Sequence, residues 1–538
     1  MQIFRYAQFL ICLVVTAIGV SNLNASGSTY YVAQSAGTFS SGTACNGQSA
    51  ESIATFNAGA ETAGNTYYFC GTITTTVTIH GSGTSGNPIT FKWDSGARIS
   101  QPVMKGININ GSSSYLLFDG GTACGPKTAC DSLEAANMTG YATGQTGIIE
   151  STANGSGLAN QTPASTAFFG CNLCHDIEIR NLIIRNLYIH SSTSDQTMNA
   201  DTGDYVFQCP GGSKGCGTGT ISIHDNTIHD AGNSISIEIT TDTTLNIYNN
   251  DFYRNNWGIE NSGNGTRIVN IYSNYVHDAN NWDTGNDFFH HNFLHNYMNV
   301  SSDSLALNVY NNYSYGNWGS CCTTATLIFT ETDYPDNFNV FNNVDVQACG
   351  EDNTAPSTEL NVTTGVVANN TFIGCSTQSQ NVEPIELFGT GYTYENNAIQ
   401  GYGQYVVVQP GATFTTLNYN IYGPVGLSGN SPWSWHGTSD KTFAAWQSGS
   451  SGDANGRQAS SLSLNATGQP QSGSVLINNG ANLNSVCNGQ PNPGLGALCS
   501  DFNGTARPSS GAWTAGAFNQ ASAAGPGAPT GVTGVVTQ

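Results

Sequence analysis

The chain has 538 residues, of which charged side chains are only 9%, and its formal net charge is −22. So few cations exclude a nucleic-acid binder, because phosphates must be met by Lys and Arg. The same acidic balance argues against unaided capture of a polyanion, and it leaves solubility to Asn, Ser, Thr and Gly.

At the start, Arg5 precedes an apolar run from Phe9 to Val20, and small and polar residues follow to Ala25. This is the layout of a secretory signal peptide, with cleavage expected near Ala25. The run is shorter than the ~20 apolar residues that span a bilayer. No second run of that kind occurs, so an exported, monomeric protein with no membrane attachment is expected. Cys12 leaves with the signal, and the remaining fourteen of fifteen cysteines are an even set. Close neighbours are Cys45 and Cys70, Cys124 and Cys130, Cys209 and Cys216, and Cys487 and Cys499. In an oxidising compartment these read as disulfides. Cys171 and Cys174 with Cys209 and Cys216 could instead hold zinc, and the compartment favours bridges.

The middle of the chain repeats. Ile221–Ile228, Leu245–Phe252 and Val269–Val276 superimpose without gaps, and Asn226, Asn250 and Asn274 stand 24 residues apart. The series continues through Asn312, Asn343, Asn370, Asn397 and Asn420. Apolar residues around each Asn alternate with the period of a strand. A short strand, a turn and a return after about two dozen residues describe one coil of a solenoid. The fold class is therefore all-β, a right-handed parallel β-helix forming a single long domain, the hand following from the general preference of parallel crossovers. At each turn the Asn is expected to take an unusual backbone conformation and to bond its stacked neighbours as a ladder. The expected organisation is 1–25 signal peptide, 26–105 N-terminal cap and first coils, 106–425 coils, 426–520 final coils and closing segment, and 521–538 flexible tail.

Several segments resemble the pectate-lyase-like, right-handed parallel β-helix proteins, and more narrowly an exported bacterial group of them. They are Thr29–Gln34, Phe69–Ile73, Gly81–Thr90, Ile148–Glu150 with Ala153–Leu158, Asp176–Ile184, and Arg507–Phe518 near the end. The resemblance covers most of residues 28–520 and implies the fold. It implies little about activity, since this fold hosts lyases, hydrolases, epimerases and adhesins.

Candidate chemistry sits in Asn281–Tyr297, which holds three of the ten histidines, His290, His291 and His295, with Asp283 and Asp287. This stretch coincides with the 38-residue step from Asn274 to Asn312, an insertion of about eleven residues before Leu294. Insertions of this kind often carry function. Related proteins show a similar Trp-Asp-Thr and His-His-x-x-x-His segment; this chain departs from them at Asn292, where Asp is usual, and Phe293, where Gly is usual. Counting the coil register, inward Ile235, Ile259 and Leu294 leave Ser236, Glu260 and His295 outward on successive rungs, with Glu238 one outward position further along. A His beside a carboxylate suits general acid–base chemistry. Outward His and Glu are also what an inert solvated ladder would carry, and His229-Asp230 and His277-Asp278 recur at turns.

The leading expectation is cleavage of glycosidic bonds in an extracellular polysaccharide. Trp257, Trp282, Tyr297 and Trp318 would stack on sugar rings, with Glu238 among the substrate-binding groups. As a hydrolase, Glu260 and Asp283 form the acid–base pair; as a lyase, a His abstracts a proton beside a uronate with Tyr297 or Ca²⁺ assisting. The acidic surface slightly favours a neutral glycan and the hydrolase. Ca²⁺ is the one cofactor left open, although no loop has EF-hand spacing. A non-catalytic adhesive or structural surface protein is the alternative. No phosphate loop, serine nucleophile elbow or nucleotide fingerprint is present.

Overall fold

The structure, a computed structural model, describes residues 27–101, 106–126, 130, 147–152, 166–187, 204–209, 215–239, 242–255, 257–263, 266–278, 291–296, 304–316, 318, 327–330, 337–347, 357–361, 363–375, 383–426, 429 and 431–519. Residues 1–25, expected to be a signal peptide, and 521–538, expected to be a flexible tail, lie outside them. Three long sheets, of 15, 13 and 13 strands among the described residues, wrap one apolar core as a right-handed parallel β-helix. Each coil contributes one strand to each sheet, so neighbours in a sheet are successive coils.

Alternation decides what enters the core. On the first sheet Ile221, Leu245, Val269, Leu307 and Phe338 stack inward, and Ile223, Ile247, Ile271, Val309 and Val340 form a second inward column. Ile184, Ile228, Phe252 and Val276 do the same on the second sheet, and Phe207, Ile235, Ile259, Leu294 and Ile328 on the third.

The asparagine series is a continuous internal ladder. In each coil from Asn226 to Asn397, the backbone N–H and the side-chain Nδ2 both donate to Oδ1 of the next Asn, at 3.0–3.1 Å. Asn420 ends the run by donating to Asp453. One expectation is corrected here. The left-handed residue is not the ladder Asn but the one before it: Asp225, Asn249, Ser273, Asn311, Asn342, Asn369, Asn396 and Tyr419 have φ of 55–61°. The preceding residue makes the bend, and the ladder Asn is thereby aimed inward at the backbone groups the bend exposes.

Both ends are closed. At the N-terminal end a short helix, Ile53–Ala58, capped by Ser52, buries Ile53 and Phe56 against Tyr67, Phe69 and Phe91. At the other end Trp446, on the helix Phe443–Ser450, packs on Trp433. After the last coil strand, Arg457–Gln458, the chain turns back along the outside of the coils. Leu483, Leu498 and Trp513 cover Tyr310, Phe341 and Ala368, and Ala517 and Phe518 reach Val344. Buried Arg507 anchors this strap by donating to Asn342 Oδ1 and to the carbonyls of Thr514, Gly516 and Ala517.

Five disulfides lie among the described residues: Cys45–Cys70, Cys124–Cys130, Cys171–Cys174, Cys209–Cys216 and Cys487–Cys499. Cys375 is bridged as well. Among the described residues no helix is long and apolar enough to cross a membrane.

Candidate functional site

The register counted from the repeat is the register found. Ile235, Ile259 and Leu294 pair inward, and Ser236, Glu260 and His295 pair outward on successive coils. The column continues through Phe329, Glu359 and Glu386. His295 is outward yet only 7% exposed, because its ring stacks on Phe329 at 5.2 Å and meets the edge of Trp257 at 5.2 Å. Glu260 and Trp257 are half-buried. The result is a carboxylate and an imidazole in register, framed by two aromatic rings.

The other expected residues divide. Trp282, Asp283, Asp287, His290 and Tyr297 lie outside the described residues, as does the side chain of Glu238, whose backbone pairs with Ser262. His291 is buried, with Nδ1 3.3 Å from the carbonyl oxygen of Trp318. Trp318, expected on the surface, is 5% exposed and packs with the core, reaching the outside only where it helps line the cleft between the second and third sheets. Asn292 and Phe293 are buried too, and Phe293 packs on Phe252 at 5.6 Å. A β-carbon on Gly258 would stand 2.5 Å from the Phe293 carbonyl, so the end of the insertion lies tight on the coil before it.

Where the second sheet turns into the third, Phe252, Tyr253, Arg254, His277, Asn292, Phe293 and Trp318 help line a half-open cleft with room of only ≈ 20 Å³. That is below the roughly 300–1,000 Å³ of ordinary ligand clefts, so a polymer would have to lie on the open face.

Beside this corner runs an outward column of the second sheet: Glu150, Arg185, His229, Tyr253, His277 and Tyr315. Arg185 donates to Glu150 at 2.8 and 3.0 Å, and Arg98 reaches the same carboxylate at 3.1 Å. The rings of His229, Tyr253, His277 and Tyr315 stack at 4.5–5.0 Å. Each His-Asp dipeptide makes one local device. In His175-Asp176, His224-Asp225, His229-Asp230 and His277-Asp278 the Asp is left-handed, and its Oδ2 lies 2.6–2.7 Å from the Nδ1 of the preceding His. Burial pushes His277 toward neutrality, but Asp251 and Asp278 outweigh it and raise its pKa to about 9. Asp230 also receives Arg254 at 2.7 Å. Of these pairs, His229-Asp230 and His277-Asp278 stand at the corner, and His175-Asp176 and His224-Asp225 belong to the first sheet.

Carboxylates that reading the insertion missed stand further along the third sheet. Glu359 and Glu386 are opposite each other, and Gln409 donates to Glu386. Glu383 precedes the strand Ile385–Leu387, is 6% exposed, and among the described residues its Oε2 meets no hydrogen-bond donor. Burial, then the charges of Glu386 and Glu359, raise its pKa to about 9. Extending the alternation past Ile328 would have located Glu359 and Glu386, since Thr358-Glu-Leu360 and Ile385-Glu-Leu387 share the 27-residue step of the nearby asparagines.

Among the described residues, one set of three ligand-type atoms converges within 4.8 Å, the sulfurs of Cys171, Cys209 and Cys216. All three are in disulfides, which removes the thiolates a zinc site would need.

The fold and this face define a three-sheeted parallel β-helix with acidic, aromatic and imidazole groups along one outer column. No family model matches the chain, and no curated protein matches it. Among solved structures, a chain from the complex of XylC with xylose is similar over 77% of this chain and 86% of that one, at 12% identity and a TM-score of 0.35. A likeness so loose transfers neither residues nor reaction, and membership of the pectate-lyase-like family is not shown by it.

Proposed function

We propose that this is an exported, carbohydrate-active β-helix protein that cleaves glycosidic bonds of a polysaccharide lying along the outer face of the third sheet. The observation that supports it most is the placement of Glu260 opposite His295, with Trp257 and Phe329 against the imidazole. A column of this kind runs along the helix axis with a repeat of about 4.8 Å, a spacing on which an extended glycan can be read unit by unit. Glu260 and Asp283 would be the acid–base pair of an inverting hydrolase. A net charge of −22 favours a neutral glycan over a uronate and so the hydrolase over the lyase. The second reading, a non-catalytic adhesive surface protein, draws on the shallowness of the cleft at the corner.

The test is a panel of xylan, mannan, glucan and galactan with pectate and alginate, each with and without calcium. New reducing ends mark a hydrolase and ultraviolet-absorbing unsaturated ends mark a lyase. Retardation of the protein by a glycan without any product would favour the adhesin.

A further inference from the structure

The N-terminal cap carries chemistry that the third-sheet face does not use. Beside the helix Ile53–Ala58, the residues Tyr30, Glu51, Thr55, Phe56, Glu61 and Tyr67 help line a half-open cleft with room of ≈ 230 Å³. Part of its wall is aromatic. Tyr67 is buried, with its ring against Phe91 and the edge of Phe56. Tyr30 stacks on Tyr67 at 5.1 Å and is itself 42% exposed. The strand Ser49–Ser52 pairs with Val32 and Ala33 and not with Tyr30, so the Tyr30 ring stands at the mouth of the cleft. The rest of the wall is acidic. Glu51 pairs with inward Val32 and so takes the same face of the sheet. It is half-buried, and burial and then the charge of Glu61 raise its pKa. Glu61 is only 7% exposed, and its Oε2 accepts the backbone N–H groups of His80 and Gly81 at 2.9 and 2.6 Å. Those bonds pin the carboxylate in place, yet its Oε1 meets no donor. Among the described residues no Lys, Arg or His pairs with Glu51 or Glu61, whereas Glu150 is met by Arg185 and Arg98.

A carboxyl oxygen taken out of water without a donor is costly, and the cost is relieved when a ligand brings the donor. The donor that suits this cleft is an ammonium group. Its N–H groups can reach Glu61 Oε1 and Glu51 together, and its charge is attracted to the faces of aromatic rings. A divalent cation suits it less, since calcium takes about six to eight oxygens and gains nothing from aromatic walls. The room of ≈ 230 Å³ is several times the ~30 Å³ share of one water and falls short of the roughly 300–1,000 Å³ of clefts for larger ligands. That is space for one sugar ring. We propose that this N-terminal cleft binds the primary ammonium group of an unacetylated amino-sugar unit, with Glu61 and Glu51 on the nitrogen and Tyr30 against the sugar ring. The formal charge of −22 draws such a cationic glycan toward the protein. The site holds its ligand and performs no reaction on it. It stands at the N-terminal end of the helix, apart from the Glu260–His295 rung.

Calorimetric titration of the intact protein with glucosamine at neutral pH, where the amine is protonated, should show one saturable site. Glucose and N-acetylglucosamine lack the charge and should bind at least about tenfold more weakly. Glu51→Gln and Glu61→Gln should each weaken glucosamine by at least about tenfold. Tyr30→Ala should weaken it about two- to fivefold. Glu51 and Tyr30 are the safer positions, the first half-buried and the second exposed, so their variants should melt with the wild type. Putrescine separates an amino sugar from a free polyamine. It leaves the Tyr30 face uncovered and should bind more weakly than glucosamine, and equal affinity overturns the amino-sugar assignment. Equal affinity for glucosamine and N-acetylglucosamine, or full affinity in both Glu51→Gln and Glu61→Gln, overturns the proposal. So does stoichiometric calcium that Glu51→Gln abolishes and glucosamine does not displace. None of these readouts involves cleavage. Failure of glucosamine to bind therefore overturns this proposal and leaves the third-sheet reading intact, and binding by a protein inactive on every polysaccharide supports it all the same.

Discussion

Asn250 Nδ2 donates to Asn274 Oδ1 at 3.1 Å and to the carbonyl of Ile223 at 2.9 Å, while its own Oδ1 accepts from the backbone and the side chain of Asn226. One fully buried amide thus satisfies three coils at once, its own and those on either side. Replacing it with Leu keeps volume but strands the Asn226 N–H and the Ile223 carbonyl. A loss of about 1–3 kcal/mol is expected in urea unfolding, from the desolvation of groups left unmet. An unchanged midpoint would mean that the ladder contributes no stability.

The bridges allow a second check. Intact mass with and without reductant, after alkylation, should reveal at least five disulfides, and no stoichiometric zinc should be released. Cys45–Cys70 closes 25 residues at the N-terminal cap, so Cys45→Ser with Cys70→Ser should cost on the order of 3 kcal/mol.

Glu260→Gln should lower turnover on the cleaved polysaccharide by at least about 10² with little change in melting temperature. His295 needs a milder substitution than its outward direction alone would suggest. Packed between Phe329 and Trp257, it would leave a void as Ala, so His295→Gln is the better probe. Equal activity of wild type and the Glu260→Gln, His295→Gln double variant would move the chemistry off this rung.

Stability should fall on the alkaline side. Glu383 rises from 4.5 to about 9 and Glu395 from 4.5 to about 7, each mainly through burial, and His277 rises from 6.5 to about 9 through Asp251 and Asp278 against its own burial. For all three, the folded state holds a proton that the unfolded chain has released. Their stabilisation is therefore complete below the unfolded values and is lost as pH climbs through about 7–9. Melting curves from pH 6 to 10 should show a declining midpoint, with a shallower decline in Glu383→Gln. A flat profile would show that Glu383 is ionised in the fold.

An acidic limb is expected from the opposite displacement. Burial opposes the charge on Asp94, but backbone N–H groups of Ala44, Cys45, Ser95 and Thr43 outweigh it and lower its pKa. Glu178 is lowered chiefly by His224. Both contribute stability above the ordinary carboxylate range that is lost as pH falls through their depressed values. Asp94→Asn should blunt that loss and loosen the N-terminal cap in hydrogen exchange.

The repeat by itself determined the coil, its register and the column Ser236, Glu260, His295. Alternation of period two leaves no freedom in which face each residue takes once Ile235, Ile259 and Leu294 are inward. The 24-residue spacing of Asn226, Asn250 and Asn274 likewise determined that they stack. How deeply an outward residue is covered was decided only by the tertiary structure, because the covering groups come from other coils and from the returning strap. His295 is outward in sequence logic but enclosed by Trp257 and Phe329; Tyr310 and Phe341 are outward but lie under Trp513 and Leu498. Glu383 shows the same division most sharply. Nothing adjacent to it in the chain marks it as different from Glu386, and its raised pKa follows from burial and then from the charges of Glu386, in the strand after it, and Glu359, in the coil before. Desolvation and charge act through space, whereas a period in the sequence specifies only direction.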